Sequence, residues 1–124
     1  MPAPDQLVVL VIEDNPLVCI LLQDIFHEEG YQVLLAENGE QAMVMLTTAR
    51  PDLVTLDLNL PGISGDVVLK ELRKQDTTKE LPVIVVTALE TIPREVQELA
   101  QAVVQKPFEI NTLLSTIHRF LPPS

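Results

Sequence analysis

Short apolar runs rich in β-branched residues recur along this chain, and they constrain its fold more than any other feature. The first run, Leu7–Ile12, is apolar at every position instead of alternating between apolar and polar residues. Such continuous runs predict strands that are buried on both faces, as in a parallel sheet covered by helices. The predicted strands are Leu7–Ile12, Gln32–Ala36, Leu53–Leu56, Val83–Val86 and Ala102–Val104.

Segments with helical spacing separate these runs, and the alternation predicts βαβ units in an α/β fold. The first helix is predicted to begin at Pro16, with Asp14 or Asn15 as its N-cap, and to stop at Gly30. Its apolar residues include Leu17, Ile20, Leu21 and Ile25. The other helices are predicted to start near Asn38, after Gly65, near Val96 and at about Asn111. Five βα units result.

Length and charge limit what the chain can be. Its 124 residues predict a single domain, 1–124, with an ordered core of about residues 6–121. Eight basic against 18 acidic residues give a net charge of −10, which argues against direct binding to nucleic acid or to an anionic membrane. The single Cys19 is predicted to lie in the core. Without a signal peptide or a membrane-spanning run, the expected location is cytoplasmic.

Polar residues that follow the predicted strands are the candidates for a functional site, because ligands of open parallel sheets bind at the carboxyl ends of the strands. These residues are Glu13 and Asp14 after strand one, Asp57 and Asn59 after strand three, Thr87 and Ala88 after strand four, and Lys106 and Pro107 after strand five. Taken singly, Asp14 can simply cap a helix, and Lys106 can be an ordinary solvated lysine. Asp57 is different, because it interrupts an apolar run where an unpaired carboxylate is costly.

The combination of these residues indicates phosphoryl chemistry. If strands one and three are neighbours, Glu13, Asp14 and Asp57 converge, and three carboxylates repel one another unless a cation neutralises them. A site of oxygen ligands suits Mg²⁺, with Mn²⁺ as the alternative. Lys106 and the Thr87 hydroxyl can then hold phosphoryl oxygens while Asp57 acts as the nucleophile.

In this order, the residues resemble the receiver domain of two-component response regulators, the CheY-like family. The resemblance extends from Leu7 to about Leu121. It rests on Glu13-Asp14, the run from Asp57 to Gly65, Thr87-Ala88 and Lys106-Pro107-Phe108. It implies a doubly wound sheet of order 2-1-3-4-5 in which Asp57 accepts a phosphoryl group from a histidine kinase or a histidine phosphotransfer protein. The implied signal is a conformational change at the face of helix 4, strand 5 and helix 5.

The resemblance also implies a role for each site residue. Asp14 and Asp57 ligate Mg²⁺ by their side chains, Asn59 ligates it by its backbone carbonyl, and Glu13 acts mainly through water. Thr87, Ala88, Lys106 and Asn59 surround the phosphoryl group, and the Lys106–Pro107 peptide is cis. Such a domain is not expected to be an enzyme beyond assisting its own phosphorylation and autodephosphorylation.

Two features depart from the family pattern. Val103 stands where the family commonly has Tyr or Phe, three residues before the lysine, which puts the usual switch from threonine to aromatic residue in question. The interval between Thr87 and Lys106 is also short and contains Pro93, so the fourth helix is predicted to be short or displaced. Phosphorylation is therefore expected to be intact while its readout is unusual.

Leu89, two residues past Thr87, is predicted from its position to shield the acyl phosphate from water, with Asn59 on the other side. The output partner is not specified by any motif. A homodimer that forms on phosphorylation is one form that the output can take.

Other functions remain as alternatives. A phosphatase of the haloacid-dehalogenase type also uses a nucleophilic aspartate and Mg²⁺, but its second aspartate is replaced here by Asn59. A flavodoxin-like electron carrier shares the fold class, yet the chain has no Trp and a single tyrosine, Tyr31, to stack on a flavin. A pseudo-receiver with a vestigial acidic site is the third alternative.

Overall fold

Five strands and five helices alternate along the chain in the computed structural model, which describes residues 6–122. The strands are β1 (Val8–Ile12), β2 (Gln32–Ala36), β3 (Leu53–Leu56), β4 (Val83–Thr87) and β5 (Ala102–Gln105). The helices are α1 (Pro16–Glu28), α2 (Gly39–Leu46), α3 (Gly65–Lys74), α4 (Arg94–Leu99) and α5 (Ile110–His118). All strand pairs are parallel and the sheet order is β2-β1-β3-β4-β5, which confirms the predicted fold class.

The predicted strand boundaries differ from the observed ones by at most one residue. The start of α1 is also as predicted, and the structure selects Asn15 as its N-cap. The Asn15 Oδ1 accepts hydrogen bonds from the backbone N–H groups of Leu17 and Val18, at 2.9 and 3.4 Å. Because Asn15 caps the helix, the neighbouring Asp14 carboxylate is left free for another role.

Two apolar layers cover the sheet, one on each face. Alternate residues along each strand face opposite layers, so Leu10 packs toward one layer and Val9 toward the other. The first layer contains Ala42 and Leu46 of α2, Val68, Leu69 and Leu72 of α3, and Val96 of α4. The second contains Leu22, Ile25 and Phe26 of α1 with Leu113 and Ile117 of α5.

Of the four apolar residues named from the spacing of α1, only Ile25 is buried. Cys19, Leu22, Ile25 and Phe26 are buried. Leu17, Ile20 and Leu21 are 77%, 55% and 43% exposed. The helix has apolar residues on most of its circumference, so helical spacing alone offers two competing stripes, and contact with the sheet selects one. The prediction that Cys19 lies in the core is confirmed.

Helix α4 is short, in agreement with the short interval that precedes Lys106. It spans six residues and buries only Val96. The Arg73 guanidinium of α3 holds its carboxyl end, with Nε donating to the Leu99 carbonyl at 2.9 Å and Nη2 donating to the Gln101 side-chain oxygen at 2.8 Å. Among residues 6–122, no helix is long and apolar enough to cross a membrane.

Candidate functional site

The acidic residues of the candidate site follow two neighbouring strands. β1 pairs with β3, and Ile12 lies opposite Leu56 at the last position of the pair. Glu13, Asp14 and Asp57 therefore leave the sheet at the same edge. One carboxylate oxygen from each lies within 4.8 Å of the others, so the predicted convergence is confirmed.

Backbone hydrogen bonds hold the two buried carboxylates at this edge. The Glu13 N–H donates to the Ala36 carbonyl and the Asp57 N–H to the Ile12 carbonyl, each at 3.0 Å. These bonds continue the sheet pattern one residue past the strands. Glu13 and Asp57 are consequently only 2% and 6% exposed, whereas Asp14 faces solvent.

Lys106 joins the two buried carboxylates from the opposite side of the site. Its Nζ donates to Glu13 Oε1 at 2.5 Å and to Asp57 Oδ2 at 3.1 Å. Its backbone N–H donates to the Thr87 carbonyl at 2.8 Å, and the Lys106–Pro107 peptide is cis, as the family resemblance implied. The lysine thus links the ends of β1, β3, β4 and β5.

Burial and pairing shift the pKa values of this ion pair. Burial raises the pKa of Glu13, because its carboxylate loses hydration, and the hydrogen bond from Lys106 offsets only part of that effect. Burial by itself would lower the pKa of Lys106, but hydrogen bonds to Glu13 and Asp57 outweigh it and raise that pKa. Lys106 therefore remains positively charged at neutral pH.

The donor set fits a divalent cation. With three carboxylates and one ammonium group, two negative charges remain uncompensated. Backbone N–H groups donate to the second oxygen of each buried carboxylate. Asn15 donates to Glu13 Oε2 at 3.1 Å, and Asn59 donates to Asp57 Oδ1 at 3.2 Å. Hard oxygen ligands with a net negative charge suit a hard divalent cation.

The last residue of β4 and the residues that follow it form another part of the site wall. Thr87 is buried, and its Oγ1 accepts a 3.4 Å hydrogen bond from the Leu89 N–H. Leu89 is 43% exposed, and its carbonyl accepts a 2.7 Å hydrogen bond from the Gln105 side chain. Ala88 lines an open apolar cavity of about 330 Å³ beside the site. The other residues that line the cavity are Val18, Leu21, Lys106, Pro107 and Phe108.

Val103 lies at the position where an aromatic residue was expected from the family pattern. It pairs with Val85 of β4 and is partly buried. Its side chain packs in the same apolar layer as Val96 and Leu99 of α4. In this chain an aliphatic side chain of the layer that includes α4 therefore occupies that position.

Glycine makes a close approach possible between Asp57 and α3. A Cβ at Gly65 would lie 2.3 Å from the Asp57 carbonyl oxygen and 2.6 Å from the Leu58 Cα. The absence of a side chain lets the first turn of α3 sit directly on the backbone of the aspartate. The Gly65 N–H also donates to the Leu58 carbonyl at 3.0 Å, which closes the β3–α3 loop, residues 57–64.

Sequence reasoning missed two groups of residues near the site. One is the exposed apolar face of α1, formed by Leu17, Ile20 and Leu21, of which Leu21 lines the cavity beside Lys106. The other is Glu40 of α2, whose carboxylate contacts the β3–α3 loop. The excess of apolar residues around α1 was a usable signal for the first group, but no local pattern distinguishes Glu40 from other acidic residues in a first helical turn.

Comparisons with known proteins match this chain to one group of proteins, the response regulators. The response regulator receiver domain family matches residues 9–118. Sporulation initiation phosphotransferase F from Bacillus subtilis (strain 168) is 36% identical over 117 residues, with 92% of this chain and 93% of that protein covered. The polar-differentiation response regulator DivK from Brucella anthropi is 34% identical over 116 residues, covering 91% and 94%.

A solved structure shows the same similarity. The response regulator protein TrrA from Thermotoga maritima, in complex with Mg²⁺ and BeF, matches with a TM-score of 0.86 and 34% sequence identity. The match covers 94% of this chain and 100% of that chain. Similarity in sequence and in fold thus extends over nearly the whole length in both kinds of comparison.

Proposed function

The chain belongs to the response regulator receiver domain family, and we propose that Asp57 accepts a phosphoryl group from a histidine kinase or a histidine phosphotransfer protein. The observation that supports this most directly is the convergence of Glu13, Asp14 and Asp57 with Lys106 at one edge of the sheet. The Bacillus subtilis relative is named a phosphotransferase, which agrees with a phosphoryl-transfer role.

Metal binding by the acidic residues is part of the proposal. Asp14 and Asp57 supply side-chain oxygens to Mg²⁺, Asn59 supplies its backbone carbonyl, and Glu13 acts mainly through water. Mn²⁺ is the alternative ion. A bound divalent cation neutralises charge on the phosphoryl oxygens and so lowers the barrier to attack by an anionic nucleophile. The TrrA structure, which contains Mg²⁺, supports this choice of ion.

In the transfer step, an oxygen of the Asp57 carboxylate attacks the phosphorus atom. A P–O bond to Asp57 forms as the P–N bond to the donor histidine breaks, and the imidazole nitrogen keeps the electron pair of that bond. Lys106, which is already hydrogen-bonded to Asp57, forms an ion pair with the transferred group. The Thr87 hydroxyl donates a hydrogen bond to one of the phosphoryl oxygens. The small Ala88, which lines the cavity together with Lys106, leaves room for the group.

Catalysis by this chain is limited to its own phosphorylation and autodephosphorylation. Leu89 is exposed beside the site, and we assign it the role of shielding the acyl phosphate from attacking water. Replacing Leu89 with Asn removes apolar cover and should accelerate autodephosphorylation. An unchanged dephosphorylation rate would contradict the assignment.

The proposed function needs two binding surfaces, one for the phosphodonor protein and one for the output partner. The exposed apolar face of α1 adjoins the cavity beside Lys106, so a phosphodonor protein that covers this face brings its histidine close to Asp57. The output surface is the face of α4, β5 and α5, where Val103 packs in the same layer as α4. Dimerisation of the phosphorylated chain is one output that this surface can support.

The proposed function is tested by intact mass measurement after incubation with a small acyl-phosphate donor, with and without Mg²⁺. The proteins are the wild type, Asp57→Asn and a matched control, Asp24→Asn, which changes an exposed aspartate of α1. One acid-labile phosphoryl group is expected on the wild type and on the control when Mg²⁺ is present, and none on Asp57→Asn. Absence of the modification from the wild type would instead favour a pseudo-receiver.

A further inference from the structure

The β3–α3 loop carries Asn59, whose backbone carbonyl is a metal ligand in the proposed function. At its start, the Asn59 N–H donates to Asp57 Oδ1 at 3.2 Å. At its base, the Gly65 N–H closes the loop on the Leu58 carbonyl at 3.0 Å. Asn59 itself is exposed, but the buried Leu58 and Leu60 on either side of it anchor the first half of the loop in the core. Beyond Leu60, the tip of the loop has to be held by other contacts.

The tip of this loop rests on the first turn of α2. The Ile63 N–H donates to Glu40 Oε1 at 3.2 Å. The Ile63 side chain lies over Gly39, where a Cβ would come within 2.5 Å of Ile63 Cγ1. Gly62 has a φ of +75° and sits directly under the carboxylate, since a Cβ there would lie 2.7 Å from Glu40 Oε2. Glu40 thus makes the polar contact that ties the loop tip to α2.

Helix α2 provides a fixed base for this contact. The Asn38 Oδ1 caps it by accepting from the Gln41 N–H at 2.7 Å, and Ala42 and Leu46 are buried against the sheet. Glu40 is an exposed residue on that base and does not belong to the acidic cluster of Glu13, Asp14 and Asp57. Its carboxylate can therefore influence the site through the loop that it holds.

We propose that Glu40 is a positioning residue for the metal site: by holding Ile63, it orders the β3–α3 loop and keeps the Asn59 carbonyl ready for the cation. The proposal rests on the proposed function in that it takes the Asn59 carbonyl as a ligand. Without the contact, the tip of the loop has to become ordered when the cation binds. The free energy needed for that ordering makes the free energy of cation binding less favourable. Loss of one such hydrogen bond corresponds to roughly a three- to tenfold weaker affinity.

Isothermal titration calorimetry of Mg²⁺ into the full chain tests this directly, without any phosphorylation. The variants are Glu40→Ala, which removes the acceptor, and Glu40→Gln, which keeps an acceptor oxygen but removes the charge. Glu80→Ala is the matched control, because Glu80 is an exposed carboxylate in the α3–β4 connection. We expect Glu40→Ala to bind Mg²⁺ about three- to tenfold more weakly than the wild type. Glu40→Gln is expected to stay within about twofold, and Glu80→Ala to be unchanged.

The two Glu40 variants distinguish an effect of the lost hydrogen bond from an effect of the lost carboxylate charge. Wild-type affinity in Glu40→Ala would overturn the proposal. Equal weakening in Glu40→Ala and Glu40→Gln would also overturn it, because the effect would then come from the carboxylate charge. The amide resonances of Asn59 and Ile63 supply a second readout, and both should broaden or shift in Glu40→Ala alone.

Phosphorylation of the wild type tests the proposed function, and Mg²⁺ binding by Glu40→Ala tests the role of Glu40. If the wild type binds Mg²⁺ but takes no phosphoryl group from a small acyl phosphate, the proposed function fails while the calorimetric comparison still decides the role of Glu40. If the wild type takes the group and Glu40→Ala binds Mg²⁺ normally, only the inference fails. A wild type that binds no Mg²⁺ overturns both.

Discussion

Thr55 is a buried residue whose hydroxyl group makes no hydrogen bond within the described part of the chain. It lies in β3. An unpaired buried hydroxyl destabilises the native state, because it loses its hydrogen bonds to water and gains none. We expect Thr55→Val to raise the free energy of unfolding by about 1 kcal/mol, measured by urea denaturation.

Thr78 is the matched control, because it is buried to a similar degree and is hydrogen-bonded. Its Oγ1 donates to the Leu72 carbonyl at 2.6 Å. Thr78→Val should therefore lower the free energy of unfolding by about 1 kcal/mol, the opposite sign from Thr55→Val. If both substitutions destabilised the protein, the account of Thr55 would be wrong.

Asp66, in the first turn of α3, should make the stability of the protein depend on pH. The Ser64 hydroxyl donates to its carboxylate and lowers the pKa of Asp66 below its ordinary value. Because the folded-state pKa is the lower one, the stabilisation is present above the ordinary aspartate pKa of about 3.9. It is lost as the pH falls through the folded-state pKa. Ser64→Ala should raise the pKa of Asp66 and lower stability at about pH 7, and this loss should shrink as the pH falls through the folded-state pKa.

The pKa of Asp66 is measured by NMR titration of its carboxyl carbon, and stability by urea unfolding at about pH 7 and at a pH below the measured midpoint. Ser115→Ala serves as the control, because the Ser115 hydroxyl donates to the Thr112 carbonyl on α5. That change should leave the Asp66 titration untouched. An unshifted Asp66 midpoint in Ser64→Ala would show that another contact holds the pKa down.

At the scale of the element, α1 is unusual because it leaves part of its apolar surface uncovered. Leu17 is the most exposed large apolar residue of the described chain and lies on the face that adjoins the site. A minority of interface residues, the well-packed anchors that a partner buries fully, contribute more than about 1 kcal/mol each, and the exposure of Leu17 makes it the candidate anchor of this face. Leu17→Gln should therefore slow transfer from a phosphorylated histidine protein by about tenfold.

The reaction with a small acyl phosphate separates docking from chemistry. It needs no contact with α1, so Leu17→Gln should react with it at the wild-type rate. Val44 of α2 is 69% exposed and provides a control of the same kind on another helix. Val44→Gln should be normal with both donors, and equal slowing by Val44→Gln would argue against a specific role for α1.

The elements also differ in how well their buried faces could be predicted. In α3, the predicted pair Val68 and Leu72 is buried, because polar residues occupy most of the remaining circumference. In α1, apolar residues occur on nearly every side, and the predicted set included Leu17 and Ile20, which are exposed. Local spacing identifies a buried face only when one side of the helix is polar.

At the scale of the whole molecule, the acidic site should couple stability to divalent cations. The chain carries a net charge of −10, and three of its carboxylates converge at one edge of the sheet. A cation that binds only the folded state stabilises it by about 2.7 kcal/mol at a concentration 100 times its dissociation constant. Thermal unfolding midpoints should therefore rise with Mg²⁺ at constant ionic strength.

The stabilisation by Mg²⁺ should depend on the site and not on surface charge in general. Asp14→Asn removes a carboxylate of the cluster and should reduce the rise in the midpoint. Asp24→Asn changes an exposed carboxylate outside the cluster and should leave it unchanged. A full response in Asp14→Asn would mean that the cation stabilises the protein from elsewhere.

The sequence by itself determined the five strands, their helical connections and the set of residues at the site. Continuous apolar runs indicate strands buried on both faces, and Glu13, Asp57 and Lys106 each follow such a run. Because parallel strands end at a common edge, the local pattern predicted that these residues converge if their strands are neighbours in the sheet. The family resemblance supplied the strand order.

Only the tertiary structure decided which face of α1 is buried, how Lys106 pairs and what holds the β3–α3 loop. Lys106 and Glu13 are 93 positions apart, and Glu40 and Ile63 are 23 positions apart. Such contacts depend on how helices compete for the surface of the sheet and on where side chains meet after packing. Periodicity and capping report only the conformation of neighbouring residues, so these contacts become visible when the chain is folded.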